Sequence, residues 1–384
     1  MLSSVMMVFG TRPEAIKMAP LARALRQLPQ IDLHICVTGQ HREMLHQVLE
    51  TFELVVEQDL AVMTRGQTLN GLTEQLLVRL DQAYGAFQPD LVLVHGDTST
   101  SFVASLAAFH RHIPVAHVEA GLRTGNVRSS WPEEANRRMT AVLAELHFAP
   151  TERSREHLLR EGTAEDSIEV TGNSVIDALL WMRERLHTTG WAPSTESSLR
   201  PLTTPGRVVL ITGHRRENFG QGFERICQAL ATLAERYPDV RFVYPVHLNP
   251  QVQQAVYGIL SGRNNVLLVE PQDYKTFVWL MDRATLILTD SGGIQEEAPS
   301  LGKPVLVLRR HTERPEAVEA GTVRLVGTQI ARIVEETVRL LDDPAAYETM
   351  SRAHNPYGDG QACMRIVARL QCWLAERAEQ AGGE

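Results

Sequence analysis

The sequence lacks most of the features that assign a protein quickly. No apolar run approaches the roughly 18 residues of a membrane-spanning helix. Cysteine is scarce: Cys36, Cys227, Cys363 and Cys372 are scattered through 384 residues without metal-type spacing. That pattern argues against a disulfide framework and for buried thiols in a reducing compartment. His41, His95, His117, His214 and His247 show no ligand spacing either, so a metal site has little support. Positive charge is not in excess. The net charge of -8 argues against a general nucleic-acid binder but leaves room for a local basic pocket around a diphosphate. Neither a Gly-x-Gly-x-x-Gly nor a Walker A loop follows the first apolar run. There is no internal repeat and no low-complexity tract. Met1–Phe9 has no basic stretch and no cleavage site, and reads as a first strand rather than a signal peptide. The cytoplasm is the expected location.

What is present is alternation. Val5–Phe9, Leu33–Val37, Leu91–Val94, Val115–Val118 and His147–Ala149 read as strands. Met18, Leu21, Ala22, Leu25 and Leu28 fall on one helical face between the first two. The rhythm breaks at residues 188–205, a Ser-, Thr- and Pro-rich stretch read as a linker or surface excursion. It restarts with Val208–Thr212, Arg241–Tyr244, Val266–Val269, Leu286–Leu288 and Val305–Leu308, and Phe223, Ile226, Leu230 and Leu233 mark a helix among them. A second break falls at Asn355–Gly360, before a final helix carrying Ile366, Leu370, Trp373 and Leu374. Length and alternation predict two doubly wound α/β domains with parallel sheets, with ligands beyond the carboxyl ends of the strands.

The chemically suggestive residues follow predicted strands. Thr289–Glu297 places Ser291, Gly292 and Gly293 between an apolar strand and a helix start. Unpaired amides and small residues there suit a phosphate, and Glu297 suits ribose hydroxyls. Arg12 and Lys17 follow the first strand, where they suit phosphate oxygens and equally read as solvated basic residues of a capped helix. Asp97, Glu119 and Glu133 follow later strands or open a helix. Each alone reads as a dipole partner, but three carboxylates at one sheet edge point to acid–base chemistry, because grouped carboxylates push their proton affinities apart. His214, Arg215 and Arg216 suit a diphosphate, and Arg309, Arg310 and Arg314 add basic charge after a later strand.

Together, Gly10–Pro20, His95–Thr98, His117–Arg123, Pro132–Arg137, Thr171–Leu179, Gly213–Asn218, Thr289–Lys303, Thr312–Thr322 and Asn355–Gln361 resemble the non-hydrolysing UDP-N-acetylglucosamine 2-epimerases in order and spacing. The resemblance implies the GT-B fold, two Rossmann-like domains with the active site in the cleft between them. The domains would be 1–172, completed by a C-terminal helix 361–384, and 173–360. It implies reversible C2 epimerisation of UDP-GlcNAc to UDP-ManNAc, through elimination of UDP to 2-acetamidoglucal and re-addition, supplying ManNAc units for cell-surface polysaccharide. It further implies a homodimer and no cofactor or metal. Carried over residue by residue, Asp97, Glu119 and Glu133 match the catalytic carboxylates, with Lys17 and His214 assisting. Arg12, Lys17, Gln272, Phe277, Ser291, Gly292, Gly293, Glu297 and Arg314 match UDP contacts, although Phe277 reads equally as a core residue. Gln40, Glu134, Arg215 and His247 lie near the positions of a second, activating UDP-GlcNAc pocket in some members. There this chain has Gly66 directly before Gln67-Thr68-Leu69, and Arg65 one place earlier, a departure from regulated members. The rival readings are a hydrolysing epimerase, a GT-B glycosyltransferase using a UDP-sugar, and a non-catalytic nucleotide-sugar sensor.

Overall fold

The structure is a computed structural model that describes residues 2–39, 42–64, 66–128, 130–194 and 196–382. The chain divides into two compact units, Met1–Ala178 with Tyr357–Glu384, and Leu179–Pro356. The first is built on a seven-stranded parallel sheet. In chain order its strands are β1 (Ser3–Phe9), β2 (Ile31–Val37), β3 (Gln58–Asp59), β4 (Leu91–His95), β5 (Val115–Val118), β6 (Leu146–Ala149) and β7 (Ile168–Val170), arranged β3-β2-β1-β4-β5-β6-β7. The second carries β8 (Val208–Thr212), β9 (Arg241–Pro245), β10 (Val266–Val269), β11 (Leu286–Thr289), β12 (Val305–Val307) and β13 (Val323–Leu325), arranged β10-β9-β8-β11-β12-β13. In both sheets the order reverses beside the first strand, the topological switch point of doubly wound folds.

The predicted strands are all present. β3, β7 and β13 are additional, and the reason is positional. Each lies at a sheet edge, is two or three residues long and is largely half-buried or exposed, so it never needed the apolar run that marks a central strand. β4, by contrast, is buried at every residue.

The strand exits are built by local rules. Thr11 caps the helix Arg12–Arg26 in a capping box with Glu14, and Thr98 caps Ser99–His110 by accepting from the Ser101 amide at 3.1 Å. Glu14 also joins the two exits. One carboxylate oxygen accepts from the Gly10 and Thr11 amides (3.1 and 2.8 Å), and the other from the Thr98 hydroxyl (2.7 Å), with the Ser101 hydroxyl oxygen 3.0 Å away. Burial raises its proton affinity, and these hydrogen bonds pull it back.

Met18, Leu21, Ala22 and Leu25 are fully buried on the first helix, and Leu28 falls just beyond its end. The C-terminal helix Ala362–Gly382 packs against that helix, burying Ile366, Leu370 and Trp373, with Leu374 half-buried. Asp177 holds its start by accepting from the Ala362 and Cys363 amides at 3.2 and 2.8 Å. The passage between units falls inside the helix Ser174–Thr189, and the return at Pro356–Tyr357. Residues 188–205 lie within the second unit and are held against it: the Arg283 guanidinium donates to the Leu202 and Thr204 carbonyls at 3.0 and 2.9 Å. Cys36, Cys227 and Cys363 are buried free thiols as expected; Cys372 is exposed, on the outer face of the last helix. Among the described residues no helix is long and apolar enough to cross a membrane.

Candidate functional site

In the first unit the carboxyl ends of β4 and β5 gather the chemistry. The register pairs His95 with Val118, so the next residues along each strand, Gly96 and Glu119, leave the sheet side by side. Glu119 turns out of β5 with φ +63°, a left-handed conformation that costs free energy in a non-glycine residue and is found at functional sites. Its carboxylate forms an ion pair with Lys17 and accepts from the Asn173 side-chain amide at 2.9 Å. Asp97 forms an ion pair with Arg137, and Asn136 donates to the Asp97 carbonyl at 3.0 Å. Glu133 opens the helix Glu133–Leu143, half-buried, with no hydrogen bond or ion pair to a described residue. The three predicted carboxylates are therefore in three different electrostatic settings. Arg12, also half-buried, has no ion-pair partner among the described residues.

Glu134 is different from its neighbour. It is fully buried, accepts from the Thr124 and Gly125 amides at 2.9 and 3.3 Å, and lies 3.3 Å from the Arg137 guanidinium. Both its oxygens are thus engaged within the first unit, by the 124–125 backbone and Arg137. Gln40, Arg65 and His41 lie outside the described residues.

In the second unit the keystone is Asp290, directly after β11. It is fully buried and accepts from the amides of His214 (3.0 Å) and Arg215 (2.9 Å) and from the Asn218 side chain (3.2 Å). The turn after β8 is thus pinned to the turn after β11. The His214 ring, 3.6 Å from Asp290 and stacked on His247 at 5.6 Å, is kept below its ordinary protonation range by burial, with Arg215 and His247 adding to the effect and Asp290 opposing it. A Cβ on Gly292 would lie 3.7 Å from an Arg215 nitrogen and 4.0 Å from an Arg314 nitrogen. Two guanidinium groups therefore converge over a bare backbone, an arrangement suited to phosphate oxygens. The Arg215 Nε is buried without a partner, whereas Arg314 is paired with buried Glu296. Ser291 stands at the N-cap position of the short helix Gly292–Glu297 without a side-chain capping bond, Gly293 follows, and the Glu297 carboxylate lies 3.4 Å from where a Gly293 Cβ would be.

Phe277 is half-buried on the helix Tyr274–Arg283, and Gln272 precedes that helix with its side chain donating to the Glu270 carbonyl at 2.6 Å. Arg309 departs from the expected basic cluster: it is buried and its charge is matched by Glu217 at 2.6 Å. Arg216, Arg310 and His247 are exposed. No group of His, Cys, Asp and Glu able to hold a metal occurs among the described residues.

Two positioning residues, Glu14 and Asp290, had no assigned role in the sequence reading. Thr11-Arg12-Pro13-Glu14 carries the capping-box pattern and signals Glu14 locally. Asp290 has no such signal, since its partners lie more than 70 residues away.

Known proteins resemble this chain in sequence and fold. The family profile described as UDP-N-acetylglucosamine 2-epimerase matches residues 23–371. The UDP-N-acetylglucosamine 2-epimerase of Escherichia coli K12 is 59% identical over 96% of this chain and 98% of its own length. The crystal structure of the Neisseria meningitidis UDP-GlcNAc 2-epimerase bound to UDP-GlcNAc aligns with a TM-score of 0.86 at 51% identity, covering 96% of this chain and 99% of that one. The Methanocaldococcus jannaschii UDP-GlcNAc 2-epimerase, solved in complex with UDP-GlcNAc and UDP, aligns with a TM-score of 0.77 at 33% identity over 96% and 99% of the two chains. The two parallel-sheet α/β domains are of the GT-B class. On sequence, fold and coverage together, this chain belongs to the UDP-N-acetylglucosamine 2-epimerase family.

Proposed function

We propose that the protein is an isomerase that interconverts UDP-GlcNAc and UDP-ManNAc without hydrolysis, making ManNAc units available for cell-surface polysaccharide. The proton on sugar carbon 2 has no adjacent carbonyl and is barely acidic. The route that avoids oxidation removes that proton as the C1–O bond to UDP breaks, leaving 2-acetamidoglucal. UDP then re-forms the C1–O bond while a proton is delivered to the opposite face of carbon 2. This needs two proton-handling groups and a firm hold on the departing diphosphate. The observation that carries the reading is the set of three carboxylates in unlike settings: Glu119 beside a cation and an amide, Asp97 beside Arg137, and Glu133 unpaired among the described residues. Such a set offers more than one proton-handling group to a reaction that needs two.

Asp97, Glu119 and Glu133 handle the C2 proton in this scheme, with Lys17 assisting. His214 and Arg215 stabilise the departing diphosphate, with Arg12 and Arg314 as further cations. Ser291, Gly292 and Gly293 receive phosphate, Glu297 the ribose hydroxyls, and Gln272 and Phe277 the uracil side. Incubation with UDP-GlcNAc in D₂O is expected to give UDP-ManNAc carrying deuterium at C2, with little free sugar by NMR. Stoichiometric UDP with free ManNAc would instead show a hydrolysing enzyme, and an unchanged substrate a transferase or sensor. Asp97→Asn and Glu119→Gln should each lower turnover by about 10²–10⁴-fold while leaving UDP affinity nearly intact. Near-normal turnover in both would remove these residues from the mechanism.

Gln40, Glu134, Arg215 and His247 are the candidates for an activating second UDP-GlcNAc pocket; sigmoidal kinetics would support such a site and hyperbolic kinetics in both directions would not. We also propose a homodimer. Val78, Phe109, Met139 and Val142 are exposed apolar residues on successive packed helices of the first unit, with Val142 85% exposed. A nucleotide-sugar substrate and free thiols fit a cytoplasmic setting.

A further inference from the structure

His95 has no role in the scheme above, yet its position is unusual. It ends β4, is 3% exposed, and neither ring nitrogen has a hydrogen-bond partner beyond its own backbone. Its Nε2 lies 3.8 Å from the Glu119 carboxylate, just beyond hydrogen-bond reach. Burying ring nitrogens so poorly partnered is costly, and an apolar side chain would fill the space without that cost. We propose that His95 is a positioning residue for Glu119, its Nε2–H donating to the Glu119 carboxylate in the working enzyme. The inference rests on the epimerase reading only in giving Glu119 a proton to handle.

Among the groups that face Glu119 are Lys17 from the first helix, Asn173 from the turn after β7, and His95 from β4. Lys17 brings a full charge. When the ammonium turns toward a substrate phosphate, the carboxylate loses its strongest partner. A histidine donor can take that place after a movement of about 1 Å. The ring is suited to this because burial pushes its pKa down to about 4, with Lys17 acting in the same sense and Glu119 against it. It is therefore a neutral donor, which aims the carboxylate without cancelling its charge. The neighbouring His117 ring is hydrogen-bonded to the Gly96 carbonyl at 2.7 Å and is held neutral as well, chiefly by burial. The Ser101 hydroxyl donates to the His95 carbonyl and fixes the strand end that carries the ring.

The test compares His95→Gln, which retains an N–H donor near the Nε2 position, with His95→Phe, which fills the space without one. Wild-type deuterium uptake at C2 is measured first, so a failure of the epimerase reading is seen separately. For His95→Phe we expect kcat/KM to fall about 10²-fold, the loss expected of a misaimed catalytic group, with UDP affinity within about twofold of wild type. We also expect the acidic limb of its pH profile to move to higher pH, because a carboxylate that loses a donor holds its proton more tightly. His95→Gln should recover at least half of the logarithmic loss and return the limb toward its original place. A readout without turnover is the titration of the Glu119 carboxyl by ¹³C NMR, assigned with Glu119→Gln: its midpoint should rise in His95→Phe and not in His95→Gln. Equal activity in the two variants with an unmoved Glu119 titration would overturn the proposal and leave His95 as core packing. Loss of fold in His95→Phe, with normal activity and an unchanged Glu119 titration in His95→Gln, supports the donor role; the same fold loss with an inactive His95→Gln overturns it.

Discussion

Asp290 brings together two turns that the chain separates by more than 70 residues, and it does so with a buried charge. Replacing it with asparagine puts an N–H₂ group where backbone N–H groups now converge. We expect Asp290→Asn to cost about 2 kcal/mol and to lower turnover about 10²-fold, since it displaces His214 and Arg215 together. Chemical denaturation and the D₂O assay check this, and wild-type values for both would remove the keystone role. The buried histidines make a second prediction. Burial brings His95 and His147 down to about 4 and His117 to about 3, against about 6.5 in an unfolded chain. As pH falls through 6.5 the unfolded state takes up protons that the folded state refuses. Stability from these rings is therefore complete above that pH and is lost as pH falls toward 4, on the order of 3 kcal/mol per ring at the acid end. The urea midpoint should drop steeply over this range and less so in His147→Asn. A flat midpoint would show that the rings charge freely in the folded protein. At this scale the placement of Asp97, Glu119, Glu133 and the Ser291–Gly293 turn at strand exits or helix starts was legible, because each lies within two residues of a strand end or opens a helix. Asp290's role, Glu134's burial and Arg309's neutralisation by Glu217 were not, because each is decided by a partner distant in sequence or by packing.

Elements were legible in proportion to how much apolar surface they bury. Central strands such as β4 and β11 announce themselves with uninterrupted apolar runs, whereas β3, β7 and β13 are edge strands without that requirement. The connection after β5 shows how tightly elements meet near the site. Gly121 has φ +85°, and a Cβ there would stand 2.2 Å from the Ser154 carbonyl oxygen in the helix Glu152–Arg160. Gly121→Ala must therefore move a helix or the turn that carries Glu119, and we expect a loss of at least about 3 kcal/mol. A thermal unfolding midpoint within a degree or two of wild type would contradict the closeness of this packing. The helix Glu133–Leu143 has one face committed to buried Glu134, Asn136 and Thr140 and another that presents Met139 and Val142 to solvent. Val142→Asp should convert a dimer into monomers by sedimentation; a monomeric wild type, or a dimeric variant, would place the pairing surface elsewhere or nowhere.

At the scale of the molecule, the two-unit organisation was legible in the restart of the strand–helix rhythm, while the positions of the crossings were not. The first crossing lies within a continuous helix, Ser174–Thr189, and helical periodicity carries no mark of a change of unit. The second unit is one contiguous segment, Leu179–Pro356, whereas the first is completed by residues 357–384. A fragment ending at Pro356 leaves the apolar face of Arg12–Arg26 without the helix that covers it, so its first unit should unfold at markedly lower temperature or aggregate, as calorimetry would show. Normal unfolding of that fragment would make the last helix an ornament. The discontinuity also has a consequence in time. During synthesis the segment proposed to grip the nucleotide is finished while the one proposed to move protons still awaits its last helix. We expect a copy whose translation stopped between those two moments to carry a folded second unit and a first unit still lacking the helix that covers Arg12–Arg26, so any grip on nucleotide would precede any turnover.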